Sequence, residues 1–136
     1  MCLVLSKKYR KCVAKSDIIC YKHVLKELNT NTLLTTYRKF PVEIGSTYTS
    51  NFRILTYTPS LELSDEISEG LHSFKSLNAC RVDARLEIRR YSNKEMVICR
   101  CVIPKGSEYY VGNFCFETCY ASAKITYEEI IETVIL

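Results

Sequence analysis

The most apolar predicted strand of the chain is Glu95-Met96-Val97-Ile98-Cys99-Arg100-Cys101-Val102-Ile103. A run of this composition and length is typical of a strand at the centre of a sheet. Arg100 interrupts it, and an unpaired guanidinium in apolar surroundings is energetically costly. Arg100 must therefore meet a carboxylate, reach the edge of the sheet or line a ligand pocket. The candidate carboxylates are those of Glu69, Asp83 and Glu117.

Other strands are predicted on both sides of this run. Residues 17–25 are rich in β-branched and aromatic side chains and should form an early core strand. Alternation places Ile18, Cys20, Lys22 and Val24 on one face of this strand, and Ile19, Tyr21, His23 and Leu25 on the other. Residues 104–107 should end the central strand, and residues 108–112 should resume extended structure, because proline breaks the ladder and glycine tolerates positive φ.

The remaining strand predictions are less regular. Residues 26–60 suggest loops around short strands, among which residues 52–57 are the best candidate. Residues 119–127 indicate a last strand. Residues 127–136 fit either a short terminal helix or another strand, since their propensities do not decide between the two.

One main helix is predicted, with Ser76 as its N-cap and its end near Arg90. Its apolar stripe consists of Leu77, Cys80, Ala84, Ile88 and Tyr91, and a neighbouring ridge consists of Arg81, Arg85 and Arg89. Ala79, Val82 and Leu86 interrupt the polar side. A shorter helix followed by a strand at residues 86–91 is therefore the competing prediction.

These elements define the fold class. A chain of 136 residues with 47% apolar residues has room for one core, and we expect a single domain over residues 1–136. Residues 1–16 are expected to form either a flexible or an edge segment. The predicted class is α+β, with a mostly antiparallel sheet and one main helix.

The charge balance limits the partners that we expect. A formal net charge of +4 is too small for a dedicated nucleic-acid binder, although a small anionic ligand fits it. No apolar run approaches the ~20 residues of a membrane span, and the first residues do not form a signal peptide. We therefore expect no membrane association and a cytoplasmic protein.

The eight cysteines are the oddity of the composition. In the cytoplasm they should stay reduced, so their even number does not predict disulfides. Their spacing contains no CxxC pair, and Cys99 and Cys101 should share one strand face and pack as small hydrophobic side chains. We therefore predict no metal and no cofactor. Cys115 and Cys119 are the pair most worth testing for metal binding.

Few residues remain that could carry chemistry. The chain has no nucleophile elbow, P-loop, dinucleotide fingerprint or HExxH motif. Its two histidines, His23 and His72, lie on different predicted strands and would act only if they converge in a cleft. Tyr109 and Tyr110 should face opposite sides of their strand. Aromatic rings interleaved with Arg81, Arg85, Arg100 and Lys105 would suit a base and a phosphate together.

An ordered set of motifs resembles a family of small proteins from bacteria and bacteriophages to which no activity is assigned. The motifs are Asp17-Ile18-x-x-Tyr21-Lys22, Glu69-Gly70-Leu71-His72-Ser73-Phe74, Ile103-Pro104-Lys105-Gly106-Ser107-x-Tyr109-Tyr110-x-Gly112 and Tyr120-Ala121-Ser122. The likeness covers about residues 17–127. It implies an association with phages and supports the domain, without implying an activity.

A weaker resemblance is to ADP-ribosyltransferase-like folds, which bind NAD. The matching residues would be His23 on a first strand, Ser73 with Ala79 on a second strand and helix, and Glu117 or Glu128 on a later strand. The chain departs from that pattern, because it has no Ser-Thr-Ser triplet and, near the C-terminus, the adjacent pair Glu128-Glu129 in place of a Glu-x-Glu or Gln-x-Glu pair.

The leading hypothesis is a cytoplasmic binding protein that catalyses no reaction, acting in a bacterial or phage-infected cell. Its ligand would be anionic and nucleotide-like, for example a nucleotide signal captured in counter-defence. The predicted binding residues are His23, His72, Ser73, Arg100, Lys105, Tyr109 and Tyr110. The alternatives are an NAD-using transferase and a protein-interaction or homo-oligomeric module that docks through its tyrosine-rich surface.

Overall fold

The structure, a computed structural model, describes residues 3–5, 11–55, 66–91, 93–114 and 117–135. The strands are β1 (Leu3–Val4), β2 (Cys12–Val13), β3 (Ile18–Glu27), β4 (Leu33–Thr35), β5 (Pro41–Val42), β6 (Thr47–Thr49), β7 (Arg53–Leu55), β8 (Glu66–Glu69), β9 (Leu71–Phe74), β10 (Lys94–Ile103), β11 (Glu108–Phe114), β12 (Glu117–Ser122) and β13 (Lys124–Thr133). The helix α1 (Leu77–Glu87) continues into a 3-10 turn at Ile88–Arg90.

All pairings between the described strands are antiparallel, in the order β6-β13-β10-β3-β9-β12-β11-β1-β8-β7. Off this path, β2 pairs with β11, and β4 pairs with both β3 and β5. An antiparallel sheet with one helix is α+β in class, as the sequence predicts.

The centre of the sheet is the pair formed by β3 and β10. Their register runs without interruption over ten residue pairs, from Lys94 opposite Glu27 to Ile103 opposite Ile18. The predicted central strand is therefore confirmed, because β10 lies between β3 and β13.

Alternation along this pair divides its side chains between two faces. One face, called the cysteine face, carries Cys20, Lys22 and Val24 of β3 and Val97, Cys99, Cys101 and Ile103 of β10. The other, called the helix face, carries Tyr21, His23 and Leu25 of β3 and Met96, Ile98 and Arg100 of β10. The helix α1 packs on the helix face through Cys80 and Ala84, which are fully buried.

The helix begins where its sequence predicts. The Ser76 side chain accepts a hydrogen bond from the Ala79 N–H at 3.2 Å and so caps the first turn. Cys80 and Ala84 of the predicted stripe are buried, and Leu77, Ile88 and Tyr91 pack against the same core. The competing prediction of a strand at residues 86–91 is wrong, because the chain stays helical as far as Arg90.

The C-terminal part of the chain is extended. The predicted last strand at residues 119–127 is divided at Ala123 into β12 and β13, and β13 continues to Thr133. Two register shifts, between Ile98 and Cys99 and between Arg100 and Cys101, accommodate extra residues in β13. Residues 127–133 therefore form a bulged strand, which decides between the two predictions for this segment.

A buried polar pair connects α1 to the sheet. His23 Nε2 lies 2.7 Å from Asp83 Oδ2 of the helix, and His23 Nδ1 lies 2.8 Å from Thr36 Oγ1. The Thr36 hydroxyl donates its hydrogen to the His23 carbonyl at 2.8 Å, so its oxygen accepts a hydrogen bond from the Nδ1–H of His23. The pair therefore connects β3 to α1 through a buried side-chain contact.

Breaking this pair should destabilise the protein. We expect Asp83→Leu to lower the free energy of unfolding by about 3 to 5 kcal/mol, since it leaves the buried His23 Nε2 without a partner. Urea unfolding followed by circular dichroism measures the change. The double variant His23→Leu with Asp83→Leu should recover most of the loss; a double variant as unstable as the single one would contradict this account.

Candidate functional site

The seven predicted ligand residues do not line one cleft. The strand alternation places His23, His72, Arg100 and Tyr110 on the helix face and Ser73 and Tyr109 on the cysteine face, and Lys105 lies in the exposed loop between β10 and β11. Tyr109 and Tyr110 face opposite sides, as predicted. Phe52 packs edge-on against Tyr110, with ring centroids 5.0 Å apart.

Arg100 is paired with two carboxylates at the surface. Its Nη2 lies 3.1 Å from Glu128 and its Nη1 lies 3.1 Å from Glu129. Neighbouring strand residues normally face opposite sides, but the bulge in β13 lets both glutamates reach Arg100. The expectation of a carboxylate partner is confirmed, whereas Glu69, Asp83 and Glu117 are the wrong partners.

The other helix-face residues are also engaged within the protein. The Nδ1 of His23 contacts Thr36 and its Nε2 contacts Asp83, and the residue is only 5% exposed. His72 is half-buried, and its Nδ1 donates to the Gly70 carbonyl at 3.0 Å. The two histidines lie on the same face of the sheet, but both ring nitrogens of His23 are engaged in the contact with Thr36 and Asp83.

The cysteine face contains a residue that the site prediction missed. Lys22 lies among Cys20, Cys99 and Cys101, and among the described residues the sole hydrogen-bond partner of its ammonium is the His72 carbonyl, at 2.6 Å. Lys22 is half-buried, and the part of the cysteine face around its ammonium is called the Lys22 recess. This burial lowers the pKa of Lys22, because the charged form is desolvated.

Ser73, Tyr109 and Tyr120 lie on the cysteine face with Lys22, and each carries a hydroxyl that can donate a hydrogen bond. Ser73 is 1% exposed, and its hydroxyl makes no hydrogen bond of normal geometry with the described residues. It lies beside the thiol of Cys20, which is a weak partner. Burial raises the pKa of Tyr120 and of Tyr109, so both phenols keep their protons. Their rings pack edge to face, with centroids 5.9 Å apart.

The thiols around Lys22 are protonated and inert. Burial raises the pKa of Cys20 to about 11 and that of Cys99 to about 12, and it also raises the pKa of Cys101. A thiol attacks electrophiles or binds metal only as a thiolate, so these cysteines pack as apolar side chains. The predicted packing of Cys99 and Cys101 on one face is confirmed.

One sequence signal pointed to Lys22. The alternation of residues 17–25 puts this lysine on the same face as Ile18, Cys20 and Val24. A charged residue on an apolar strand face is the same kind of anomaly as Arg100 in β10. The same reasoning, applied to β3, would have selected Lys22.

No group of three His, Cys, Asp or Glu side chains within the described ranges could hold a metal ion. The predicted test pair cannot be placed, because Cys115 lies outside those ranges. In the part of the chain that the structure describes, no helix has the length and apolar character needed to cross a membrane.

Comparison of the chain with family models, with curated proteins and with solved structures finds no match. The resemblance to small phage and bacterial proteins therefore stays a prediction.

The buried thiols should make the fold sensitive to alkaline pH. A group whose pKa is raised on folding stabilises the folded state below its unfolded pKa, here 9.0, and that contribution is lost as pH rises through the folded value. We expect the free energy of unfolding to fall between about pH 8 and about pH 11. Urea unfolding over this range measures it, and Cys101→Val should give a shallower fall; an equal slope would contradict the assignment.

Proposed function

We propose that the protein binds a small anionic ligand at Lys22. The observation that carries this proposal is that Lys22 is an enclosed cation whose only partner among the described residues is a carbonyl oxygen. An enclosed charge without a counter-charge is unfavourable, and an anion entering the recess would supply that counter-charge.

The donors around Lys22 suit an anion. The unsatisfied Ser73 hydroxyl can donate to a ligand oxygen, and the phenol of Tyr120 stays protonated. Charge-assisted hydrogen bonds from an ammonium to an anion are about twice as strong as neutral ones. Ser73 and Tyr109 belong to the residues predicted from the sequence; Arg100 and His23 are engaged elsewhere.

The specific form of the proposal is a nucleotide-like ligand, such as a nucleotide signal captured in phage counter-defence. The resemblance to phage proteins supports this form. The transferase alternative needs His23, Ser73 and a glutamate together, whereas His23 and Ser73 face opposite sides of the sheet. The geometry therefore supports binding better than group transfer.

The substitution Lys22→Met separates a ligand anchor from a structural lysine. We expect it to abolish ligand binding and to leave the free protein as stable or more stable, because it removes an uncompensated charge from the recess. Thermal shift against inorganic phosphate, NAD, ADP-ribose and cyclic nucleotides measures binding, since a ligand of the folded state raises its melting temperature. The matched control is Lys26→Met, the same change on the same strand.

Three outcomes decide the proposal. Stabilisation of the wild type and of Lys26→Met by a ligand that does not stabilise Lys22→Met supports it. A loss of several kcal/mol in unligated Lys22→Met would show that the lysine is structural, and no shift with any probe would contradict anion binding. Intact NAD after incubation and denaturation favours a binder, whereas its conversion favours the transferase.

The pH dependence gives an independent check. Because folding lowers the pKa of Lys22 below 10.5, this group destabilises the folded state at neutral pH, and the penalty disappears as pH rises towards 10.5. The stability of the wild type relative to Lys22→Met should therefore improve with pH. Chemical denaturation of the two proteins is measured in parallel from about pH 7 to about pH 8, below the range in which the unfolded thiols ionise, and a constant difference would contradict the assignment.

A further inference from the structure

The exposed side of α1 carries aliphatic side chains that no described residue covers. Val82 is 50% exposed and Leu86 is 58% exposed, and their spacing of four residues places them on the same side of the helix. On the other flank lies Ile135, which is 77% exposed and lines a small cavity together with Arg81 and Arg85. Exposed aliphatic side chains grouped in this way are typical of interaction sites.

Between these two flanks runs the ridge of Arg81, Arg85 and Arg89 that the sequence predicts. Arg81 is neutralised by Glu132, whose carboxylate lies 2.9 Å from Nε and 2.7 Å from Nη2. Among the described residues, no carboxylate pairs with Arg85 or Arg89. The ridge therefore presents two uncompensated positive charges with aliphatic side chains on both sides.

The cavity beside the ridge limits what can enter it. It lies between α1 and the end of β13 and has a volume of about 160 Å³. Pockets for small-molecule ligands usually have volumes of about 300 to 1,000 Å³. This cavity suits one side chain. Its lining includes the ion pair of Arg81 with Glu132, so Arg85 is the charge that remains to attract a carboxylate.

We infer that this side of α1, formed by Val82, Arg85, Leu86, Arg89 and Ile135, is a docking surface for a partner protein that presents an acidic amphipathic segment. A carboxylate of the partner enters the cavity and pairs with Arg85, a second one pairs with Arg89, and apolar side chains cover Val82 and Leu86. The surface is separate from the Lys22 recess, since α1 packs on the helix face and Lys22 lies on the cysteine face.

Charge and size favour a protein over the other acidic partners. Two exposed aliphatic residues on an 11-residue helix offer too little apolar area to anchor it in a membrane interface. The chain has a net charge of only +4, and aliphatic flanks contribute little to contacts with phosphates. An acidic amphipathic segment satisfies both the arginines and the aliphatic side chains.

The test uses a fluorescein-labelled helical peptide with leucines on one side and glutamates on the other, and its counterpart with lysines in place of the glutamates. Fluorescence anisotropy should show saturable binding of the glutamate peptide alone. Arg85→Glu and Leu86→Ser should each weaken it about tenfold or more, as expected for central interface residues. The matched control is Arg38→Glu, which makes the same charge change in the exposed loop between β4 and β5.

Several results would overturn the inference. The first is an Arg38→Glu variant whose affinity for the glutamate peptide falls as much as that of Arg85→Glu. The second is a lysine peptide that binds as well as the glutamate peptide, or a glutamate peptide that shows no saturable binding. The third is a Leu86→Ser variant that binds the glutamate peptide as well as the wild type does. Stronger binding of the wild type to vesicles with anionic lipids or to a DNA duplex would point to a membrane or a nucleic acid instead. Circular dichroism melts of each variant verify the fold. If the Arg85→Glu variant still binds the anion that the wild type binds at Lys22, the two surfaces act separately.

Discussion

The uninterrupted ladder between β3 and β10 is the constraint on which the rest of the structure depends. Ten paired residues set the register, and with it the face to which every side chain of the two strands points. A shift by one residue would exchange the faces and place His23 among the cysteines and Lys22 under the helix. The ladder thus decides that two neighbouring residues, Lys22 and His23, meet opposite surroundings.

The two faces differ in the partners that they provide for charged side chains. On the helix face, His23 contacts Asp83 and Thr36, and Arg100 contacts Glu128 and Glu129, so both of these basic side chains have a carboxylate partner. On the cysteine face, the partner of Lys22 among the described residues is a carbonyl oxygen, and its neighbours include the protonated thiols of Cys20 and Cys99. A stable fold keeps an uncompensated cation in a recess only at some free-energy penalty, and a bound anion removes that penalty. The contrast between the faces is therefore the basis of the functional proposal.

Sequence reasoning succeeded where the pattern is local. The cap at Ser76, the stripe through Cys80 and Ala84, and the alternation within β3 and β10 all repeat with the period of one element. It was less accurate where strands depart from regular geometry. The bulges of β13 admit extra residues and turn Glu128 and Glu129 towards Arg100, and no pattern in residues 119–136 shows where they occur.

By itself, the sequence determined the central strand, the start of the main helix, the broad α+β class and the two sets of alternating side chains, and it singled out Arg100 as a charge that needs a partner, a sheet edge or a ligand. These follow from periodicity and from the cost of burying charge, which require only neighbouring residues to be known. The tertiary structure alone decided which partner each charged group found, because Asp83 is 60 residues from His23 and Glu128 is 28 residues from Arg100. It also decided that no carboxylate of the described residues pairs with Lys22, since this depends on how distant strands align.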